Sequence, residues 1–214
     1  MNTHVIIDGP RMPPASGREA RSIVILAHGY GSNGADLIGL APHWREALPD
    51  ALFVAPNAPE PCPDAPGGYQ WWPVRTPDRT AGVRGAAAIL DAFIDAELAR
   101  YGLSEDRLAL VGFSQGTMLA LHVAPRREKQ VAGVVGYSGM LIDTDEADLR
   151  TRPPVLLVHG DADPMVPVAA FHNAEAALKR LGFDLTTHVS RGLGHSIDMD
   201  GLRLGGAFLS KVLP

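Results

Sequence analysis

Five short runs of continuous apolar residues punctuate the chain, at 22–27, 52–55, 108–113, 131–137 and 155–159. Each is rich in Val, Leu and Ile and closes on Gly, Pro or a polar residue. Strands buried on both faces read this way, as unbroken rather than alternating apolarity. A weaker, alternating run at 184–190 predicts a strand nearer the sheet edge, and 4–7 predicts another edge strand. Helical periods separate the runs. Val83, Ala87, Leu90, Ile94 and Leu98 share one stripe while Arg84, Asp91 and Asp95 fall opposite, the pattern of a helix laid on a sheet. Val168, Phe171, Leu178 and Leu181 repeat it, with Gly182 where a C-cap belongs. Residues 115–124 are apolar nearly all round, which predicts the most buried helix, stopped by Pro125. Strands and helices in alternation imply α/β class, a mostly parallel central sheet with helices on both faces.

At 214 residues, without internal repeats, the chain is expected to form one domain over residues 1–214. Two connections stand out. Residues 56–77 hold seven of the 18 prolines together with Gly67, Gly68, Trp71 and Trp72. Loops that long without internal structure tend to be functional. Residues 139–152 are short and acidic, leaving no room for a helical cap domain.

Composition narrows the partners. Net charge is −5 with no long run of either sign, so clustered Lys and Arg for nucleic acid are missing. Cys62 is the single cysteine, which excludes an internal disulfide framework and Cys-rich metal clusters. The first ten residues lack a signal pattern, and no apolar run approaches the ~20 residues that span a bilayer. A cytoplasmic protein without stable membrane insertion is expected, and exposed apolar loop residues leave room for a homodimer.

The chemistry begins at Gly112-Phe113-Ser114-Gln115-Gly116, a Gly-x-Ser-x-Gly pentamer. Alone it is a weak signal. Here it sits between a buried strand and a helix, the setting of a nucleophile elbow, in which a sharp turn exposes a serine at a helix N-terminus. A serine hydroxyl needs a base to take its proton during attack. His195, flanked by glycine beyond the 184–190 strand, is the candidate base. Asp163, in the loop after 155–159, is the candidate acid, with Asp161 as fallback. Of the other histidines, His188 and His122 fall inside elements, His4, His43 and His172 at surface positions, and His159 where it would bond loop backbone.

Acyl transfer also needs donors aimed at the tetrahedral oxyanion, each worth ~3–4 kcal/mol when removed. The N–H of Gln115, next after the serine, is one candidate. The other is the N–H of Tyr30 in His28-Gly29-Tyr30-Gly31, which follows the 22–27 strand. A plainer role for that segment is a glycine turn before a helix capped by Asn33 and Asp36.

These residues resemble the phospholipase/carboxylesterase family of the α/β-hydrolase superfamily. The resemblance runs from about Ser22 onward and includes His28-Gly29-Tyr30-Gly31, Asp36-Leu37, Pro56-Asn57-Ala58-Pro59, Gln70-Trp71-Trp72, the 112–116 elbow, His159-Gly160 with Asp163 and Val166-Pro167, and Gly194-His195. It implies a capless α/β-hydrolase fold, a triad of Ser114, Asp163 and His195, oxyanion donors at Tyr30 and Gln115, and no metal or cofactor. It also implies hydrolysis of small-molecule carboxylic esters, of short to medium chain, through an acyl-serine. Tyr30 with Ser32-Asn33-Gly34 is more similar to bacterial carboxylesterases than to eukaryotic protein depalmitoylases, whose loop usually reads Leu-Gly-Asp.

Substrate contacts are expected from Trp71, Trp72, Met140, Leu141, Met165 and Val166, although core packing would account equally well for several of them. Rival readings keep the site and change the leaving group, to a thioesterase acting on acyl-CoA or S-acylated protein, or a lysophospholipase. A non-catalytic hydrolase-like binding module is the reading from another class.

Overall fold

The computed structural model describes residues 5–75, 78–143 and 145–213. Its strands are β1 (Arg11–Met12), β2 (Ser22–Ala27), β3 (Ala51–Val54), β4 (Glu60–Pro61), β5 (Tyr69–Gln70), β6 (Leu108–Phe113), β7 (Gly133–Tyr137), β8 (Val155–Gly160) and β9 (Leu185–Ser190). Its helices are α1 (Gly34–Leu37), α2 (Arg79–Tyr101), α3 (Gln115–Val123), α4 (Val168–Arg180) and α5 (Met199–Val212). Seven strands form one sheet in the order β1-β3-β2-β6-β7-β8-β9, parallel throughout except that β1 runs antiparallel to β3.

Every residue of β2 is buried, and its side chains divide by the period of two. Ile23, Ile25 and Ala27 enter one core with Leu90 and Ile94 of α2, Leu119 of α3 and Phe171 of α4. Val24 and Leu26 enter the other with Trp44, Leu202 and Leu209. This two-sided burial is why the run shows no alternation. α2 starts where Asp78 accepts the N–H of Ala81 at 2.9 Å and stops at Gly102, which takes the left-handed conformation at φ 63°.

Three expectations need correction. Residues 5–7 form no strand, and His4 lies outside the described residues. The antiparallel edge is β1, reached after Asp8 O and Pro10 O have accepted from Asn57 N and Ala55 N, so the pairing begins as isolated bonds. The loop at 56–77 carries structure of its own, since β4 and β5 pair as a small antiparallel ladder; Pro77 is outside the described residues. β7 starts at Gly133, two residues later than the apolar run. The 184–190 run does lie at the edge, as β9. Between β7 and β8 the described residues hold one three-residue 3-10 turn, Glu146–Asp148, and no cap.

Candidate active site

β6 ends centrally in the sheet, and the chain reverses at once into α3. Ser114 occupies that turn at φ 53°, ψ −113°, a conformation costly for any residue with a Cβ. The surroundings leave it no alternative. Ser114 N–H donates to Tyr137 O at 2.9 Å, and its own carbonyl accepts from Met118 N at 3.2 Å. Thr117 Oγ1 lies 2.8 Å from both Gly112 O and Tyr137 O, tying the turn to β7. A Cβ at Gly116 would stand 1.8 Å from Ala27 O, so only glycine lets α3 sit this close to β2.

Asp163 follows β8, with its carboxylate inaccessible to solvent. Oδ1 accepts the N–H groups of Met165 and Val166 at 2.8 and 2.9 Å. Oδ2 lies 2.7 Å from His195 Nδ1. Burial pushes this carboxyl upward, but the Val166 amide, the His195 ring and the Met165 amide outweigh it, so its pKa ends below the ordinary 3.8. An ionised Asp163 requires the proton of His195 on Nδ1 and leaves Nε2 with the lone pair. Asp161 takes a different part: Oδ1 accepts Gly192 N–H at 2.6 Å, bracing the loop that carries His195. Ser138 Oγ braces the other side by donating to Ser196 O at 3.1 Å, and the Phe113 ring lies 4.9 Å from the imidazole between centroids. His159 is fully buried with Nε2 2.8 Å from Val166 O, holding the loop of the acid.

The third segment leaves β2 through His28, which is fully buried. Its Nδ1 lies 2.7 Å from Gly29 O, and Nε2 accepts Ala58 N–H at 2.9 Å. One nitrogen must donate and the other accept, so the ring is neutral; burial also pushes its pKa down. Gly31 N donates to Tyr69 O and Tyr69 N to Ser32 O, pinning the loop to β5. Asn33 does cap α1, accepting from Asp36 N at 2.9 Å. Tyr30 and Gln115 were expected to be oxyanion donors, and among the described residues neither N–H has an acceptor.

Ser114 and His195 line one cavity of about 410 Å³, although no hydrogen bond joins them among the described residues. Trp72, Met140, Met165 and Val166 line it too, with Tyr30 and Gln115. Trp71 and Leu141 do not. Trp71 is buried, its indole N–H donating to His28 O at 2.9 Å, and Leu141 packs on the core. Val74, Met118 and Ile142 complete the apolar lining, and Asp64, Arg75 and Arg79 line it as charged residues. Met118 was legible in principle, being one helical turn beyond Ser114. The side chain of Gln115 was not: Oε1 accepts Trp71 N–H at 2.9 Å and Nε2 donates to Trp72 O at 2.8 Å. Among the described residues no group of three or more His, Cys, Asp or Glu could hold a metal ion.

A mostly parallel sheet with a strained strand–serine–helix turn at its centre defines an α/β-hydrolase. The chain belongs to the phospholipase/carboxylesterase family, whose model matches residues 14–213. It is similar to esterase YpfH of Escherichia coli, 28% identical over 216 residues that cover 99% of this chain and 89% of that one. It is also similar to acyl-protein thioesterase 1 of Neurospora crassa, at 27% identity covering 96% and 92%. The crystal structure of esterase PE8 superposes with a TM-score of 0.93 at 43% identity, covering 98% of this chain and all of that one.

Proposed function

We propose that this protein is a serine carboxylesterase acting on short- to medium-chain esters. The observation that carries the reading is the buried Asp163 carboxylate 2.7 Å from His195 Nδ1, with that ring and Ser114 facing one apolar cavity. Ser114 Oγ attacks the ester carbonyl while His195 Nε2 takes its proton. The tetrahedral oxyanion is held by the amides of Tyr30 and Gln115. The same imidazole then protonates the departing alcohol, and water, deprotonated by it in turn, releases the acid. Asp163 orients the ring and balances its positive charge. Trp72, Met118, Met140 and Ile142 supply the apolar surface for the acyl chain.

The test is turnover of p-nitrophenyl butyrate by purified Ser114→Ala and His195→Ala variants with unchanged circular dichroism. Both are expected to lose at least about 10³-fold in kcat. Wild-type-like turnover by either would refute the assignment. The acyl-protein thioesterase 1 relatives favour a second reading, a thioesterase, in which the leaving group is a thiol. Matched oxygen esters and thioesters from acetyl to palmitoyl separate the two by kcat/KM.

No helix among the described residues is long and apolar enough to cross a membrane. A cytoplasmic setting is part of the proposal, supported by the one cysteine being a free, buried thiol and not part of a disulfide framework.

A further inference from the structure

Two residues beyond Leu141, the segment that leaves β7 contains a side chain for which ester hydrolysis has no direct use. Asp143 lies in a surface loop, yet its carboxylate is only 6% exposed. Its backbone takes φ 62°, unusual for a residue with a Cβ. Oδ2 lies 2.8 Å from Arg84 Nε on α2, 3.5 Å from Arg126 Nη2 just beyond α3, and 3.8 Å from His122 Nδ1 on α3. Arg126 also reaches Asp143 O at 3.4 Å and His122 O at 3.0 Å. One carboxylate thus joins the loop to both helices that flank the cavity.

We propose that Asp143 is a positioning residue that sets acyl-chain selectivity by holding the loop wall of the cavity. The inference rests on the esterase reading. Met140 and Ile142 line the cavity and immediately precede Asp143, whereas Asp143 does not line it. The wall packs on the core through Leu141 and Ile142, and the ion cluster ties its far end to α2 and to the end of α3. Arg126 is nearly buried and is served by this carboxylate, so the arrangement is held from both sides. A wall pinned at Asp143 limits how far Met140 and Ile142 can move aside for a longer chain. Discrimination among chain lengths in an apolar pocket comes from such contacts, at about 10–200-fold per methylene when the walls are rigid.

The experiment measures kcat and KM on p-nitrophenyl esters from acetate to decanoate for wild type, Asp143→Asn and Arg84→Gln. The second variant loosens the same contact from α2 and leaves the carboxylate paired with Arg126, so it keeps the test open if Asp143→Asn folds poorly. In both variants the ratio of kcat/KM for decanoate to that for acetate is expected to rise at least threefold, mainly through KM of the long esters. A uniform loss across all chain lengths would mean that Asp143 only supports the fold, and an unchanged profile would mean that the wall is set elsewhere. Either result overturns the inference. Wild-type protein that turns over none of the esters would instead refute the esterase reading itself.

Discussion

The side-chain amide of Gln115 grips the main chain of Trp71, 44 residues away, accepting its N–H at 2.9 Å while donating to the carbonyl of Trp72. Gln115, next after the proposed nucleophile, lines the cavity, and its side chain fastens the proline-rich loop that supplies Trp72. α2 closes the other face of that loop, where a Cβ at Gly82 would stand 2.7 Å from the Trp72 ring.

Gln115→Leu keeps the side-chain volume and leaves Trp71 N–H and Trp72 O buried without partners. A loss of about 1–3 kcal/mol for each orphaned group is expected, read from urea unfolding. KM for medium-chain esters should rise more than KM for acetate, because the Trp72 wall is released. Stability equal to wild type would show that the loop is held by other contacts.

Asp163→Asn removes the charge that fixes the His195 tautomer. Ester turnover is expected to fall by about 10³–10⁴-fold in kcat. Stability carries a second signature. The carboxyl titrates lower in the folded protein than its ordinary 3.8, so its contribution is present above that value and is lost as pH falls through the folded one. Unfolding midpoints of wild type should drop more steeply below pH 3.8 than those of the variant. Parallel curves would remove Asp163 from the acid response.

His122 gives the opposite end of the acid range. Burial, with the charge of Arg126 behind it, pushes its pKa from 6.5 down to about 4 against the weaker pull of Asp143. The unfolded chain binds this proton first, so the stability present above pH 6.5 is lost as pH falls toward 4. His28, also pushed down by burial, works in the same direction. His122→Gln should show a shallower loss between pH 7 and pH 5 in urea unfolding than wild type. Identical slopes would mean that His122 is free to ionise in the folded protein.

Much of the site could be read from local pattern. In the pentamer at 112–116, glycine avoids a clash with α3 at Gly112 and with the end of β2 at Gly116, and small residues at those two places are what the local pattern displays. Asp163 and His195 follow strand ends, the places where loops of a parallel sheet converge. Trp71 was misjudged because a tryptophan in a proline-rich loop looks the same whether its indole meets ligand or a carbonyl; here it meets His28 O. Nothing in the acidic loop marks Asp143 out from its neighbours in the sequence, because its partners are Arg84 of α2 and Arg126 just beyond α3, which only the fold brings to it.

The order of apolar and polar residues alone determined the central strands β2, β3, β6, β7 and β8, the edge strand β9 and the helices α2, α3 and α4, since burial on two faces writes an unbroken apolar run and burial on one face writes a period of two or of three to four. It also determined where a serine could be forced into a left-handed turn. Only the tertiary structure decided which side chains face the cavity, which nitrogen of each buried imidazole carries its proton, and what holds the loops in place. Those outcomes depend on contacts between residues dozens of positions apart, and their distances and directions exist only once the chain has packed.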